Sequence, residues 1–186
     1  MSRFELQPTP LSGLVAVRRQ AVEDERGFFS RFFCAQELAA AGFALPIAQI
    51  NHTYTKRRGA VRGLHYQNPP HSEDKFISCL RGEIFDVAVD LRRGSPTFLH
   101  WHGAVLSAAN MTSLLVPQGF AHGFQTLGDE CELLYLHSRP FAPSAEAGLN
   151  VHDPRLAIEW PLPFSDISAR DAARALIAGD FAGISP

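Results

Sequence analysis

The chain has 186 residues, 46% of them hydrophobic, which is enough to bury one sizeable core. A formal net charge of -2 leaves no basic face for nucleic-acid binding, and no apolar run reaches the ~18 residues of a membrane span. Three cysteines without a CxxC spacing argue against a disulfide framework and a zinc ribbon. We therefore expect a cytoplasmic protein with reduced thiols and with no nucleic-acid or membrane partner.

From about residue 14 to residue 138, short apolar runs alternate with Gly, Pro and Asn, and this spacing predicts many strands and few helices. Inside this region the segment SRFFCAQELAAAGF, residues 30–43, predicts one short helix. Gly42 is its expected C-terminal stop.

Two later segments alternate with the period of a β-strand. In EIFDVAVDL, residues 83–91, apolar side chains alternate with Asp and Ala, so we expect one face in the core. In CELLYLHS, residues 131–138, the same period places Tyr135 and His137 on one face.

After Pro140 the composition shifts to turn-forming residues. Ser168 followed by Asp171 is typical of a capping box and predicts a helix over ARDAARALIA, residues 169–178. The predicted architecture is an antiparallel barrel or sandwich with a C-terminal helical segment. We expect one domain over residues 1–186, with the barrel at about 14–140 and the extension at about 141–186.

The run VRGLHYQNPP, residues 61–70, carries titratable groups and then breaks on two prolines. Strict alternation places His65 and Gln67 on one face and Arg62 on the other. A lone histidine in such a run is more often a hydrogen-bonded structural imidazole than a catalytic group. The alternative, which stays open, is that these side chains line the open end of a barrel.

Lys75 and His122 are the other titratable candidates. Lys75 shares a period-2 face with apolar side chains, where a lysine needs a partner unless it protects an exposed edge. His122 lies between Phe120 and Phe124 beside glycines, a setting that favours a ligand or a hydrogen-bond donor to a ligand.

Six motifs resemble, in the same order, those of the dTDP-4-dehydrorhamnose 3,5-epimerase family. They are DERGFFSRFF (24–33), QIN (49–51), VRGLHYQ (61–67), DVAVDLRRGSPTF (86–98), PQGFAHGF (117–124) and IEWP (158–161). The resemblance implies a cupin-type jelly-roll β-barrel with short helices. It also implies a homodimer in which N-terminal strands are exchanged between subunits.

By this resemblance the reaction is an epimerisation of a nucleotide-linked 4-keto-6-deoxyhexose. His65 is the implied base, and Asp171 accepts its other imidazole N–H, which fixes the tautomer and raises the basicity. Tyr135 is the implied acid on the opposite face of the sugar. Lys75 would stabilise the enolate oxygen at C4, and losing such a donor costs on the order of 3 kcal/mol.

The same resemblance implies a set of substrate-binding residues: Arg26, Gln49, Asn51, Arg62, His122, Phe141, Glu146 and Arg170. Arg26 is expected to reach across from the neighbouring subunit, and Phe141 to stack on the base. Guanidinium groups suit diphosphate oxygens without a basic protein overall. Departures from the family pattern are Arg31, Leu136, Pro140, Phe141 and Arg170, all expected around the nucleotide.

Metal-binding cupins place two histidines one residue apart, followed by a glutamate and a third histidine. Here Gln67 stands at the second histidine position and Lys75 near the place of the glutamate. We therefore expect neither a metal ion nor another cofactor, and a nucleotide sugar as the only small-molecule partner.

Several alternatives stay open. Without the resemblance, Asp171 fits a helix cap, Tyr135 an ordinary barrel aromatic and Arg26 a surface ion pair. The alternative functions are a 3- or 5-mono-epimerase of another nucleotide sugar, a metal-dependent cupin enzyme and a non-catalytic cupin that binds a sugar nucleotide.

Overall fold

The computed structural model describes residues 2–186, which form mainly β-strands with two short helices. In chain order the elements are β1 (Phe4–Pro8), β2 (Val15–Arg19), β3 (Val22–Asp24), β4 (Gly27–Phe29), α1 (Ala35–Ala39), β5 (Gln49–Thr55), β6 (Ala60–Gln67), β7 (Lys75–Arg81), β8 (Glu83–Asp90), β9 (Trp101–Ser107), β10 (Thr112–Val116), β11 (Phe120–Thr126), β12 (Cys131–His137), β13 (Glu146–Gly148), β14 (Asp166–Ile167) and α2 (Ala169–Ala172). No helix within residues 2–186 is long and apolar enough to cross a membrane.

The strands form two facing sheets, with the order β1-β2-β10-β7-β12-β5 in the first and β13-β6-β11-β8-β9 in the second. Neighbouring strands in these orders are antiparallel, while the short β14 pairs in parallel with β6. β3 and β4 form a separate hairpin. Facing antiparallel sheets in which most neighbouring strands are distant in sequence are the jelly-roll arrangement, so the predicted cupin-type fold is confirmed.

The main core lies between the two sheets. Ile77 and Leu133 of the first sheet pack in one cluster with Ile84 and Phe124 of the second, and all four side chains are almost fully buried. Burial of such side chains contributes about 1.5–3 kcal/mol each to the free energy of folding. The facing sheets are therefore held together chiefly by apolar contact.

A second cluster covers the outer face of the second sheet. Val87 and Val89 of β8 pack there against Leu149, Val151 and Leu156 from the C-terminal segment. The apolar face of this strand therefore lies in a core, as predicted, but the C-terminal segment covers it, and the opposite face with Ile84 and Ala88 is buried between the sheets as well. Strand periodicity cannot reveal a cover that comes from distant residues.

Both helices are short, as predicted for the first but not for the second. α1 ends before Gly42, whose φ of +111° suits a helix stop. α2 is capped by Ser168, whose hydroxyl accepts the Asp171 N–H, but it spans only four residues. The helix stops because the following residues turn back onto the second sheet, where Ile177 and Phe181 join the outer cluster.

Candidate active site

A cavity of about 910 Å³ lies between the sheets and is lined by side chains from both. Eleven of the twelve predicted site residues line it: Gln49, Asn51, Arg62, His65, Lys75, His122, Tyr135, Phe141, Glu146, Arg170 and Asp171. Residues more than 120 positions apart in the chain, such as Gln49 and Asp171, are thus brought to one place.

An irregularity in β6 orients two of these side chains. His122 of β11 is paired with His65, but Phe124 is paired with Arg62, so β6 has one extra residue at Gly63. Gly63 has a φ of +122°, and a Cβ there would lie 2.6 Å from the Gly123 Cα, so glycine is needed. Because the bulge resets the alternation, Arg62 lies on the cavity side with His65, and the strict alternation predicted for this run was wrong.

His65 and Asp171 form an imidazole–carboxylate pair in which the imidazole is half-buried and the carboxylate is buried. His65 Nε2 lies 2.7 Å from Asp171 Oδ1, and the Gly63 N–H donates to Oδ2 at 3.3 Å. Burial lowers the pKa of His65 from 6.5 and outweighs the hydrogen bond and charge of Asp171, which raise it. The expected gain in basicity from Asp171 is therefore present but smaller than the effect of burial.

Asp171 is held ionised by the same contacts. Burial raises its pKa, but the hydrogen bond and charge of His65, with the Gly63 and Ser168 hydrogen bonds, lower that pKa more, so it lies below 3.8. The side chain is 3% exposed, which means that the negative charge is fixed beside the imidazole rather than in solvent.

Tyr135 faces the cavity from the opposite sheet. It lies on β12, and its ring is 5.9 Å from the ring of His122, which is the cross-strand neighbour of His65. Burial raises the pKa of Tyr135, and the nearby charge of Asp86 raises it further, so the phenol keeps its proton. The cavity thus has a protonated phenol on one sheet and the His65 imidazole on the other.

His122 is held in place by a contact with Asp86 on the neighbouring strand. His122 Nε2 lies 2.7 Å from Asp86 Oδ1, and the Asp86 side chain is completely buried. Burial raises the pKa of this carboxyl more than the charge of His122 lowers it. The pair holds the imidazole of His122 in a fixed orientation between His65 and Tyr135.

Lys75 has the partner that its position requires. Its Nζ lies 3.2 Å from Glu73 Oε1 and donates to the His65 carbonyl at 3.0 Å. Gln67 Nε2 donates to the other Glu73 oxygen at 2.7 Å. Glu73 was not among the predicted site residues, although its position two residues before Lys75 could have identified it as the partner.

The exposed side of the cavity is basic and aromatic. Arg62 is held by Thr55 Oγ1 at 3.0 Å and by the Tyr54 carbonyl at 3.2 Å. Arg170 pairs with Glu146 at 2.8 Å, and the Phe141 ring is 53% exposed. These groups could meet an anionic, partly planar ligand at the entrance.

His137 also lines the cavity and was missed as a site residue. Its ring is stacked on the Tyr135 ring at 6.0 Å between centroids, and its Nε2 lies 3.4 Å from Asn51 Nδ2. Sequence periodicity had placed it on the same strand face as Tyr135, and that signal was sufficient to include it.

Arg26 is the predicted residue that does not line its own chain's cavity. It sits on the β3–β4 hairpin, where it pairs with Asp24 and its side chain is 89% exposed. Arg31, expected near the nucleotide, pairs with Glu37 at 2.8 Å and also lies outside the cavity. Among residues 2–186, no three His, Cys, Asp or Glu side chains are arranged to hold a metal ion.

Comparison with known proteins agrees with this geometry. Residues 8–178 match the family model described as dTDP-4-dehydrorhamnose 3,5-epimerase. The dTDP-4-dehydrorhamnose 3,5-epimerase of Salmonella typhimurium is 39% identical over 171 residues, 91% of this chain and 93% of that one. The dTDP-4-dehydrorhamnose 3-epimerase of Streptomyces niveus is 37% identical over 176 residues, 94% of this chain and 84% of that one.

A solved structure shows the same likeness in three dimensions. The dTDP-6-deoxy-D-glucose-3,5-epimerase of Legionella pneumophila, in complex with dTDP-4-keto-L-rhamnose, has a TM-score of 0.88 at 38% identity. The alignment covers 93% of this chain and 92% of that one. With the family match over most of its length, the chain belongs to the dTDP-4-dehydrorhamnose 3,5-epimerase family of isomerases.

Proposed function

We propose that the chain inverts C3 and C5 of a nucleoside diphosphate 4-keto-6-deoxyhexose in deoxysugar or polysaccharide biosynthesis. The proposed substrate is dTDP-4-dehydro-6-deoxy-D-glucose and the product is dTDP-4-dehydro-L-rhamnose. The observation that carries the proposal is the placement of the His65–Asp171 pair and Tyr135 on opposite sheets of one cavity.

The proposed chemistry follows from these positions. The 4-keto group acidifies the hydrogens on C3 and C5, so a base can take the proton from one face of the carbon and an acid can deliver a different proton to the other face. Asp171 accepts the Nε2–H of His65, which leaves the Nδ1 lone pair to take the proton. Tyr135 returns a proton from the opposite side, and the Lys75 ammonium stabilises the oxygen at C4 while the enolate exists.

The remaining lining residues serve substrate binding in this proposal. Arg62 and Arg170 contact the diphosphate, and Phe141 stacks on the base. Gln49, Asn51, His122 and Glu146 hold the sugar and nucleoside through hydrogen bonds. Support comes from the Legionella relative, whose structure contains dTDP-4-keto-L-rhamnose.

Isotope exchange tests the reaction. When the protein is mixed with dTDP-4-dehydro-6-deoxy-D-glucose in D2O, we expect deuterium to enter both C3 and C5. NMR measures the incorporation at each carbon. Deuterium at C3 alone would reassign the chain as a 3-epimerase, the activity named for the Streptomyces niveus relative. Absence of exchange at either carbon would overturn the proposal for this substrate.

Variants test whether His65 and Tyr135 carry out that exchange. His65→Asn and Tyr135→Phe should each reduce exchange by ~10²–10⁴-fold, the usual value of a general base or acid, with little change in melting temperature. His52→Asn is the matched control, because His52 pairs with Glu132 outside the cavity. Wild-type exchange in either site variant would remove that residue from the mechanism.

We further propose a cytoplasmic homodimer with exchanged N-terminal strands, in which Arg26 enters the partner's cavity. Phe28 and Phe29 are 61% and 65% exposed on the hairpin that carries Arg26, and such an apolar patch is typical of an interface. Three free cysteines fit a reducing compartment.

Subunit mixing tests the role of Arg26. Arg26→Ala and His65→Asn should each be inactive alone, but random heterodimers contain one intact site if Arg26 works across the interface. Refolded mixtures should therefore recover about one quarter of wild-type activity, as expected for statistical pairing in a two-fold dimer. No recovery, or a monomeric protein by light scattering, would contradict the proposal.

A further inference from the structure

Three hydrogen bonds connect the backbone at Phe141 to the ring of His137. The Phe141 N–H donates to Gln49 Oε1 at 3.0 Å, and Gln49 Nε2 donates to Asn51 Oδ1 at 3.0 Å. Asn51 Nδ2 then lies 3.4 Å from His137 Nε2. Gln49, Asn51 and His137 each have two polar groups at the end of the side chain. The hydrogen bond that one group makes therefore determines which group faces the next residue.

The direction of the whole chain is determined by its first member. A backbone N–H can only donate, so Gln49 must present its oxygen to Phe141 and its NH2 group to Asn51. Asn51 consequently presents its own NH2 group to His137, whose Nε2 must accept. In a neutral imidazole the proton is then on Nδ1, which makes that atom a donor.

The surroundings of His137 favour the neutral ring. Burial lowers its pKa to about 4, and the nearby charges of Lys75 and His122 act in the same direction. A protonated ring would also place an N–H against the NH2 group of Asn51. His137 is therefore uncharged near neutral pH, with one acceptor used internally and one donor left.

The location of that donor points to the sugar. His137 is stacked on the proposed acid Tyr135 and is paired in register with Lys75 on β7, the residue proposed at the C4 oxygen. Among residues 2–186 no protein group accepts a hydrogen bond from His137 Nδ1, and the side chain lines the cavity. A donor without a protein acceptor, beside the reacting groups, needs a ligand or water acceptor.

We propose that His137 is a substrate-specificity residue, which binds an oxygen of the sugar ring through Nδ1–H while Asn51, Gln49 and the Phe141 amide hold its tautomer. This inference rests on the proposed function for the identity of the ligand. The tautomer itself is a property of the free protein and is tested separately.

NMR of the uniformly ¹⁵N-labelled protein without ligand tests the tautomer. Long-range ¹H–¹⁵N correlations should show a neutral His137 ring protonated at Nδ1, with no protonation at pH 5.5. Asn51→Asp replaces the NH2 donor by an acceptor, so the proton should move to Nε2 and the pKa should rise. A wild-type ring that is protonated at Nε2, or charged at pH 5.5, would overturn the inference.

Ligand binding tests the contact. His137→Phe keeps a ring for stacking on Tyr135 but removes the donor, and should weaken binding of the sugar nucleotide about tenfold, the usual effect of one lost hydrogen bond. His137→Asn places an NH2 group near the position of Nδ1 and should restore affinity to within about threefold. Binding of dTDP alone, measured by calorimetry, should be the same in all three proteins.

Three outcomes would contradict the inference. Unchanged affinity in His137→Phe removes the contact, and equal losses in the Phe and Asn variants show that the donor is not the cause. Equal loss for dTDP and for the sugar nucleotide places the contact on the nucleotide. If wild-type protein binds the sugar nucleotide but exchanges no deuterium, the proposed epimerase function fails while the contact is still tested.

Discussion

At the scale of single residues, the site gives the two proposed proton-transfer groups, His65 and Tyr135, opposite pKa shifts. Burial lowers the pKa of His65 and raises that of Tyr135, so at neutral pH the imidazole is free to accept a proton and the phenol retains one to give. Opposite environments for an acid and a base are the usual means by which one site performs both steps. Asp171 moderates the effect of burial on His65 through its fixed charge.

The pH dependence of exchange follows from these directions. Because the pKa of His65 is lowered from 6.5, kcat/KM should stay constant as pH falls to 6.5 and decrease only below it. Asp171→Asn removes the charge that raises this pKa, so the acid limb should move to still lower pH while kcat falls by roughly 10²-fold. Asp180→Asn, at an exposed position, is the control. An acid limb that moves to higher pH in Asp171→Asn would contradict this effect of Asp171 on the pKa of His65.

At the scale of elements, Gln67 connects β6 to the loop that carries Phe141. Its Oε1 accepts the Ala142 N–H at 2.6 Å, and its Nε2 donates to the Pro140 carbonyl at 3.3 Å. The same NH2 group reaches Glu73, the partner of Lys75. One buried amide therefore holds both the loop that carries Phe141 and the ion pair between Lys75 and Glu73.

Replacing that amide should be costly for stability. Gln67→Leu leaves the Ala142 N–H and one Glu73 oxygen without partners in a buried place, so we expect the free energy of unfolding to fall by about 2–3 kcal/mol. Gln36→Leu, at an exposed position of α1, should change it by less than about 0.5 kcal/mol. Urea unfolding curves measure both, and similar midpoints for the two variants would show that the Gln67 contacts contribute little.

At the scale of the whole molecule, several buried groups make stability depend on pH. The pKa of His137 is lowered by burial to about 4, whereas the unfolded imidazole titrates near 6.5. The unfolded state therefore binds the proton first, and stability is lost as pH falls from 6.5 to 4. Burial raises the pKa of Asp90, but hydrogen bonds from Arg92, Ser95 and Thr97 lower it more, to about 2, which gives the same sign at lower pH.

Calorimetric melting curves should show this trend. We expect the melting temperature to be highest near pH 7 and to fall between pH 6.5 and pH 4, and His137→Asn should flatten that part of the curve. The raised pKa of Asp86 acts in the opposite direction, because protonation relieves a buried charge as pH falls. A melting temperature that rises on acidification would mean that Asp86 outweighs the histidines.

Local sequence was sufficient for those features that depend on neighbours along the chain. The period of two identified β8 and β12 and placed Tyr135 and His137 on one face, since alternation is a property of a single strand. The resemblance to a known family implied the jelly-roll fold and named eleven side chains that line one cavity. Capping by Ser168 was also predicted correctly from adjacent residues.

Long-range contacts decided the rest. The bulge at Gly63, which brings Arg62 to the side of His65, exists only because β6 pairs with β11. The helix predicted to residue 178 is shortened since Ile177 packs, partly buried, against the second sheet, and helix propensity is weaker than such packing. The orientation of Gln49, Asn51 and His137 comes from one backbone N–H at Phe141, which only the packing of the loop against β5 and β12 brings within hydrogen-bonding distance.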